Sequence, residues 1–575
     1  MPKFEFTSGP QNAQIAIVGE AWGSDEAIVK KPFIGLAGME LKRIFADAKL
    51  YLDTCFLTNL VPARPDANEM YRFFSPGKTD TFRRLNPLPE TRASIEDLYD
   101  QLRHIKPRLI IACGNFPLWA LTNEARIGKH PDRPEYLVPT GIGDFRGSML
   151  YCDTPGLTGV PVLPIYHPAA ILRSWELRTV TVQDLRSRVP MALAGDWKAP
   201  KQHMEFQPSY ADAIRFLDYW IAQCFHPFEL SCDIETRRHL ITCIGFADDQ
   251  QALTIPLVKK VASASGFESH WTAPQEAQIT KRIRHLLTRP NMRAIGQNFL
   301  YDMTYFYRTY GITPTVGFDT MMAQHVMFPG TQKDLGYLSS LYCKYHRYWK
   351  DDNKEWDAKS DMLDHLRYNA EDCLRTYEIA QVQKKALKSQ GLDQLFEIEM
   401  EKYRMSFEMS MYGIKVDMKA KTSLSIELFE AASSRIAWLE KRFPKTLVAE
   451  ILGKEPKELK SSWTSSPLQQ KAIFYDLLGL PAQRHRKTGA TTLDKEAIPK
   501  LKRKAPWAAQ IFDALLELRS IGVFSSTFVN APIDSDKRIR TSFNPAGPET
   551  FRWSSSTNPF GTGGNFQNIP SGKEM

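Results

Sequence analysis

Short apolar runs recur through the first third of the chain, separated by polar stretches of helical period. The runs "QIAIVG" (14–19), "CFLTN" (55–59), "LIIACG" (109–114) and "VPVLPIYHP" (160–168) read as strands, and "SIEDLYDQLRHI" (94–105) as an amphipathic helix. Strands alternating with helices predict an α/β domain with a largely parallel sheet over residues 1–200. Each run ends on a small or polar residue: Gly19 and Glu20, Asn59, Gly114, His167. These mark a crevice at the carboxyl ends of the strands, where open α/β sheets collect ligands.

The polar, Pro-interrupted "GDWKAPKQHMEFQPS" (195–209) reads as a boundary. A second unit, 209–388, opens with a helical "YADAIRFLDYWIAQ". It continues with "FELSCDIET" and "HLITCIGFAD", which predict an antiparallel hairpin, and is helical afterwards. The third segment, 389–575, is mainly helical, with "LFEIEMEKYRMSFEMSMYGI" at 395–414 and further helices expected over 421–442 and 508–522. No repeat of solenoid period is found.

With 575 residues, 43% of them hydrophobic, the chain can bury several cores. Its eight cysteines form no close pair, which speaks against a disulfide framework, a zinc knuckle or an iron-sulfur cluster. A net charge of +9 suits a polyanionic partner. Neither a signal peptide nor an 18-residue apolar stretch is found, so no membrane association and a cytoplasmic location are expected.

Chemistry concentrates in the middle unit. Asp233 and Glu235 are two apart on a predicted strand and share a face. Two carboxylates side by side repel unless a cation neutralises them. Asn298 and Asp302, and Tyr368 and Asp372, are each placed one helical turn apart. Four carboxylates and a phenol can then converge on paired hard cations about 4 Å apart, which would clamp the oxygens of a phosphodiester. Solvated surface acids are the competing reading, and three ordered motifs weigh against it.

The stretches "DIET", "NFLYD" and "YNAED" resemble the signatures of DnaQ-like 3′–5′ exonucleases of the tyrosine-containing type, found beside family A DNA polymerases. The resemblance implies an RNase H-like fold. It implies that Asp233, Glu235, Asp302 and Asp372 hold two divalent ions, Mg²⁺ or Mn²⁺, and that Tyr368 positions the water. Asn298 would touch DNA, and Asp319 would support the fold more than the metals.

The stretches "VGEAWGSDEAIVKKPFIGLAG" (18–38), "TNLVPARP" (58–65) and "YHPAAILR" (166–173) resemble uracil-DNA glycosylases of the iron-sulfur-containing branch. That implies a three-layer glycosylase-like domain in which Phe33 stacks on an extruded base and Asn59 reads its edge. His167 would stabilise charge near the glycosidic oxygen, and Glu20 would be a nearby polar or water-orienting group. Trp22 stands where the family carries proline, and only Cys55, Cys113 and Cys152 lie in this domain, so no iron-sulfur cluster is expected. Uracil excision and a DNA-holding platform remain alternatives. The loop "RPDANEMYRFFSPGKTDTFRR" (64–84) is either a DNA contact or an insertion with inward-packed aromatics.

The segment 399–417 resembles the element that follows the exonuclease in family A polymerases, just before the thumb, and 463–481 and 487–501 resemble the thumb tip, with Lys487 in a basic span suited to phosphates. The run "FNPAGPETFRWSSSTNPFGTGGNFQNIP" (543–570) resembles the stretch before the palm, with Arg552 and Gln567 near template and primer. Together these imply the N-terminal part of a family A DNA polymerase of bacteriophage type, without fingers and palm. The implied partners are DNA, as primer-template or single-stranded 3′ end, and a separate fingers-palm subunit, within the cytoplasm of an infected bacterial host. A truncated single-chain polymerase and a non-catalytic DNA scaffold are the alternatives.

Overall fold

The computed structural model describes residues 4–77, 82–260, 266–352, 362–486 and 489–568. Two compact units make up the chain, Met1–Met400 and Glu401–Met575.

In the first unit, β1 (Ile15–Ala21), β2 (Phe56–Val61), β3 (Leu109–Cys113), β4 (Leu150–Tyr151) and β5 (Pro161–Ile165) form one sheet in the order β2-β1-β3-β5-β4. Every pairing is parallel except the β4 edge, as the alternation of elements predicted. The strands read as continuous apolar runs because both faces are covered. Ala16 and Val18 pack with Ile95, Leu98 and Leu102 of helix α2 (Pro89–Ile105), whereas Ile15 and Ile17 belong to the opposite core with Ile44 and Phe45 of α1 (Leu36–Asp47) and Leu185 of α3 (Leu177–Ala194). Cys152 belongs to the first core, Cys55 and Cys113 to the second.

The boundary segment divides its residues between two domains. Trp197 is buried in the N-terminal domain and donates from Nε1 to Leu150 O at 2.9 Å. His203–Glu205 instead forms β6 at the edge of a second sheet. That sheet also contains β7 (Phe228–Arg237), β8 (Leu240–Ala247), β9 (Gln251–Pro256), β10 (Met292–Gly296) and β11 (Val316–Asp319), in the order β11-β10-β7-β8-β9-β6.

The predicted hairpin is β7–β8, with Asp233 opposite Gly245 and Glu235 opposite Cys243. Its turn residues Arg238 and His239 both take positive φ, 49° and 64°, the twist that a two-residue hairpin turn requires. Helix α4 (Leu300–Tyr310) follows β10, and α5 (Leu335–Tyr342) precedes the long α6 (Met362–Ser389). Helix α6 lies across β8 and β9, where Ala370, Cys373 and Leu374 pack on Ala247 and Ala252.

In the second unit, α7 (Met418–Arg442) and α8 (Ala509–Phe524) correspond to the two expected helices and pack together. Asp417 caps α7 by accepting from the Lys419 and Ala420 amides. Their shared core contains Leu439, Trp463, Phe474, Phe512 and Leu515.

Candidate active sites

The acidic site is built on β7, α4 and α6. Strand period two sends Asp233 and Glu235 to one face, and α6 brings Asp372 to them. One carboxylate oxygen from each of Asp233, Glu235 and Asp372 lies within 4.8 Å of the others. Such a set of hard oxygen donors suits a divalent cation.

Asp302 enters differently. It is buried on α4, and its Oδ1 accepts from the Ile234 amide at 2.9 Å, so it grips the strand between the two acids. Tyr368 stands one turn before Asp372 on α6, as its spacing predicted. Asn298 does not share a helical face with Asp302. The helix begins at Leu300, and Asn298 precedes it, exposed, with φ 54°, a conformation asparagine tolerates better than most residues. Asp319 caps the helix Thr320–Met327 through the Met321 and Met322 amides and accepts from the Phe299 amide at 2.8 Å. All three bonds are structural.

Crowding shows in the protonation equilibria. Burial, then the charge of Asp372, pushes Asp233 up to about 7. Burial and the charge of Asp233 raise Glu235 and Asp302. Asp372 is raised by burial and held back by the Lys350 ammonium. Burial and the three nearest carboxylates also raise the Tyr368 phenol, so Tyr368 is neutral.

Three residues of this site escaped the sequence reading. Asn369 donates from Nδ2 to Asp233 Oδ2 at 2.9 Å and accepts from Thr254 Oγ1 at 3.1 Å. It sits inside "YNAED", three residues before Asp372, so helical spacing could have found it. Trp349 Nε1 donates to Asp372 Oδ1 at 2.7 Å, and Lys350 Nζ to Asp372 Oδ2 at 2.6 Å. Both come from an aperiodic segment, which leaves no sequence signal.

A second site lies at the carboxyl ends of the first sheet. A Cβ on Gly19 would meet the Phe33 ring at 2.7 Å and the Asn59 amide at 3.3 Å, and one on Gly114 would meet Glu20 Oε1 at 2.4 Å and His167 Cβ at 3.3 Å. Gly19 therefore lets Phe33 and Asn59 approach the strand end, and Gly114 does the same for Glu20 and His167. Phe33 takes φ 57°, a strained backbone that aims its ring into the crevice beside Gly19. Asn59 is buried, and among the described residues its Oδ1 has no hydrogen-bond partner.

His167 Nδ1 accepts from the Ala169 amide at 3.2 Å, which leaves the ring proton on Nε2. Burial, then Arg173, pushes His167 down to about 4, and burial pushes Glu20 up to about 7. Trp22 is buried edge-on against Phe6, with ring centroids 5.4 Å apart.

Within the loop 64–84, Tyr71 and Phe74 are buried in the domain core, and Phe82 meets Trp119 edge-on at 5.5 Å. The inward-packed reading of its aromatics holds for these described residues. Lys487 lies outside the described residues. Arg552 and Gln567 are exposed, and the Gln567 amide donates to Trp553 O within the terminal loop. Among the described residues, no helix is long and apolar enough to cross a membrane.

Fold and sites together define a glycosylase-like α/β domain followed by an exonuclease-like domain. Residues 6–186 match the uracil DNA glycosylase superfamily and residues 230–388 match the 3′–5′ exonuclease family. The type-4 uracil-DNA glycosylase of Archaeoglobus fulgidus is 30% identical over 179 residues, 31% of this chain and 76% of that protein. DNA polymerase I of Synechocystis sp. is 31% identical over 268 residues, 44% of this chain and 24% of that protein. A solved "POL domain of Pol1 from M. smegmatis complex with DNA primer-template and dNTP" overlaps at TM-score 0.44 and 20% identity, over 64% of this chain and 56% of that one.

The chain belongs to the uracil DNA glycosylase superfamily through its first domain and carries a polymerase I-type 3′–5′ exonuclease domain after it. It spans about a quarter of the length of the polymerase I relatives it matches.

Proposed function

We propose that this chain is a metal-dependent 3′–5′ DNA exonuclease that proofreads for a family A DNA polymerase. Residues 1–200 form the glycosylase-like domain, 209–388 the exonuclease and 389–575 the thumb and pre-palm region. The observation that carries this reading is the convergence of Asp233, Glu235 and Asp372 within 4.8 Å, with Tyr368 one turn from Asp372. These acids, joined by Asp302, hold two divalent ions, Mg²⁺ or Mn²⁺. When bound, the ions supply Lewis acidity and neutralise developing charge at the phosphodiester.

The chain's own groups do the positioning. Asn369 fixes the Asp233 carboxylate, Asp302 fixes the strand through Ile234, and the neutral Tyr368 hydroxyl orients the attacking water. Asn298, Lys487, Arg552 and Gln567 contact the DNA. Fingers and palm, on the same polypeptide or a separate one, supply polymerisation. The glycosylase–exonuclease–thumb combination suits bacteriophage replication in the cytoplasm of a bacterial host.

The test is digestion of a 3′-mismatched primer-template by the purified chain with Mg²⁺, with and without a fingers-palm polypeptide. Expected are digestion by the chain alone and extension only with that polypeptide. Extension by these 575 residues alone, or digestion that survives in EDTA, overturns the reading.

A second activity, uracil excision, is favoured by one observation: among the described residues the Asn59 Oδ1, beside Gly19 together with the Phe33 ring, has no hydrogen-bond partner. A buried, unsatisfied acceptor beside an aromatic ring is what an extruded pyrimidine edge would satisfy. Release of uracil from single-stranded DNA, lost in Asn59→Ala, tests it. Retention of uracil DNA without release would leave the platform reading instead.

A further inference from the structure

Resting on the exonuclease reading, we propose that Lys350 is a tethered cation of the acidic site that competes with the divalent metal for Asp372, and that the glycosylase-like domain holds it there. Lys350 Nζ lies 2.6 Å from Asp372 Oδ2, 4.6 Å from the centre of the Tyr368 ring, and close enough to Asp233 and Glu235 to feel their charge. An ammonium in this position does for the acids, in part, what a metal ion would do. A dication arriving at the same oxygens must push it aside.

The tether is the segment 343–352; the exonuclease holds it through Glu378 and the Trp349 core, and a second set of anchors belongs to the other domain. Arg188 of α3 donates to the carbonyls of Ser340 and Cys343, both at 3.0 Å, and to that of Lys344. The Met149 amide donates to His346 O at 2.7 Å, and Ser148 Oγ accepts from the Tyr348 amide at 3.2 Å. Tyr348 is buried in the glycosylase-like core, with its ring 5.2 Å from that of Phe145. Beyond Lys350, Asp351 pairs with Arg126. Glycosylase-domain contacts thus bracket Trp349 and Lys350 on both sides, and these two residues meet Asp372.

The position of Lys350 is therefore set in part by the fold of a domain that contributes no acid to the site. Binding that shifts the glycosylase-like domain can change how readily metal enters the exonuclease.

The test measures Mn²⁺ affinity of the full chain by calorimetry, beside the Mg²⁺ dependence of digestion, for wild type, Lys350→Met, Lys350→Arg and the double variant Arg126→Gln/Ser148→Ala. Loss of one nearby positive charge should tighten Mn²⁺ binding about fivefold to tenfold in Lys350→Met and lower the half-saturating Mg²⁺ concentration by the same factor. Without metal, the variant should melt below wild type, and Mn²⁺ should raise its melting temperature by more. Lys350→Arg should stay near wild type.

The double variant touches no acid of the site and should shift Mn²⁺ affinity in the same direction, roughly twofold, because the tether is loosened. It also keeps the proposal testable should Lys350→Met fail to fold. Unchanged or weaker Mn²⁺ binding in Lys350→Met overturns the competition, and an unchanged double variant overturns the domain's part in it. A wild-type chain that neither binds Mn²⁺ nor digests DNA overturns the exonuclease reading as well. One that does both, beside an indistinguishable Lys350→Met, overturns this inference alone.

Discussion

Tyr348 and Trp349 are consecutive residues buried in two different cores. Tyr348 packs with Phe145 in the glycosylase-like domain, whereas Trp349 packs with Leu335, Leu338 and Ile379 in the exonuclease. Backbone alternation at this one step rivets the two domains together. Truncating a buried aromatic removes its transfer energy and leaves a cavity, at a cost of about 3 kcal/mol. Tyr348→Ala is expected to lower the melting of both domains together in calorimetry. A loss confined to one domain would show that the rivet does not couple them.

Asp302 separates a structural from a chemical role. Its Oδ1 accepts the Ile234 amide, and an asparagine oxygen can accept the same bond. Asp302→Asn should therefore keep the strand in place while removing a charge from a crowded site. Expected are digestion reduced by roughly 100-fold or more and, in EDTA, stability equal to wild type or higher by about 1 kcal/mol. Full digestion by this variant would remove Asp302 from the metal set.

How much of this was legible in the sequence depended on periodicity. Strand period two placed Asp233 with Glu235, and helix period placed Tyr368 with Asp372; both relations hold in the fold. The same reasoning misplaced Asn298, because it assumed a helix where the backbone makes a left-handed step before Leu300. Lys350 was invisible because no period carries it: Ser340 and Asp351, on either side of it, are held by Arg188 and Arg126, 152 and 225 positions earlier than those partners. Glu20, Asn59 and His167 were found at strand ends and Phe33 through the resemblance, but the close approach of Phe33 and Asn59 at Gly19, and of Glu20 and His167 at Gly114, required the packed structure.

Gly245 tests the support of Asp233 from behind. It faces Asp233 across the hairpin, and a Cβ there would lie 2.2 Å from Asn369 Oδ1 and 2.7 Å from Cys373 Sγ. Asn369 cannot stay at that distance, and its shift disturbs the bond to Asp233. Gly245→Ala is expected to cost roughly 1–3 kcal/mol by overpacking and to reduce digestion at least tenfold. Asn369→Ala should show the same catalytic loss with less destabilisation. Equal activity in both variants and wild type would show that Asp233 needs no such support.

The glycosylase-like pocket carries a pH signature that can be isolated. Glu20 is raised by burial from its ordinary 4.5 to about 7, so the folded state holds its proton more tightly than the unfolded chain does. Its contribution is fully present below pH 4.5 and is lost as pH rises through about 7. His167, lowered from 6.5 to about 4, works in the opposite direction, since the unfolded state takes up the proton first as pH falls. Comparing wild type with Glu20→Gln cancels the His167 contribution. The variant, neutral at every pH, should gain on wild type by on the order of 3 kcal/mol between pH 4.5 and pH 8, as read by denaturant unfolding at both values. A pH-independent difference would mean that Glu20 ionises in the fold as easily as in water. If Glu20 orients water for base release, excision should rise with pH through about 7 in wild type and be lost in Glu20→Gln. A flat profile would instead confine Glu20 to holding the Phe116 amide, toward which its Oε1 points at 3.5 Å.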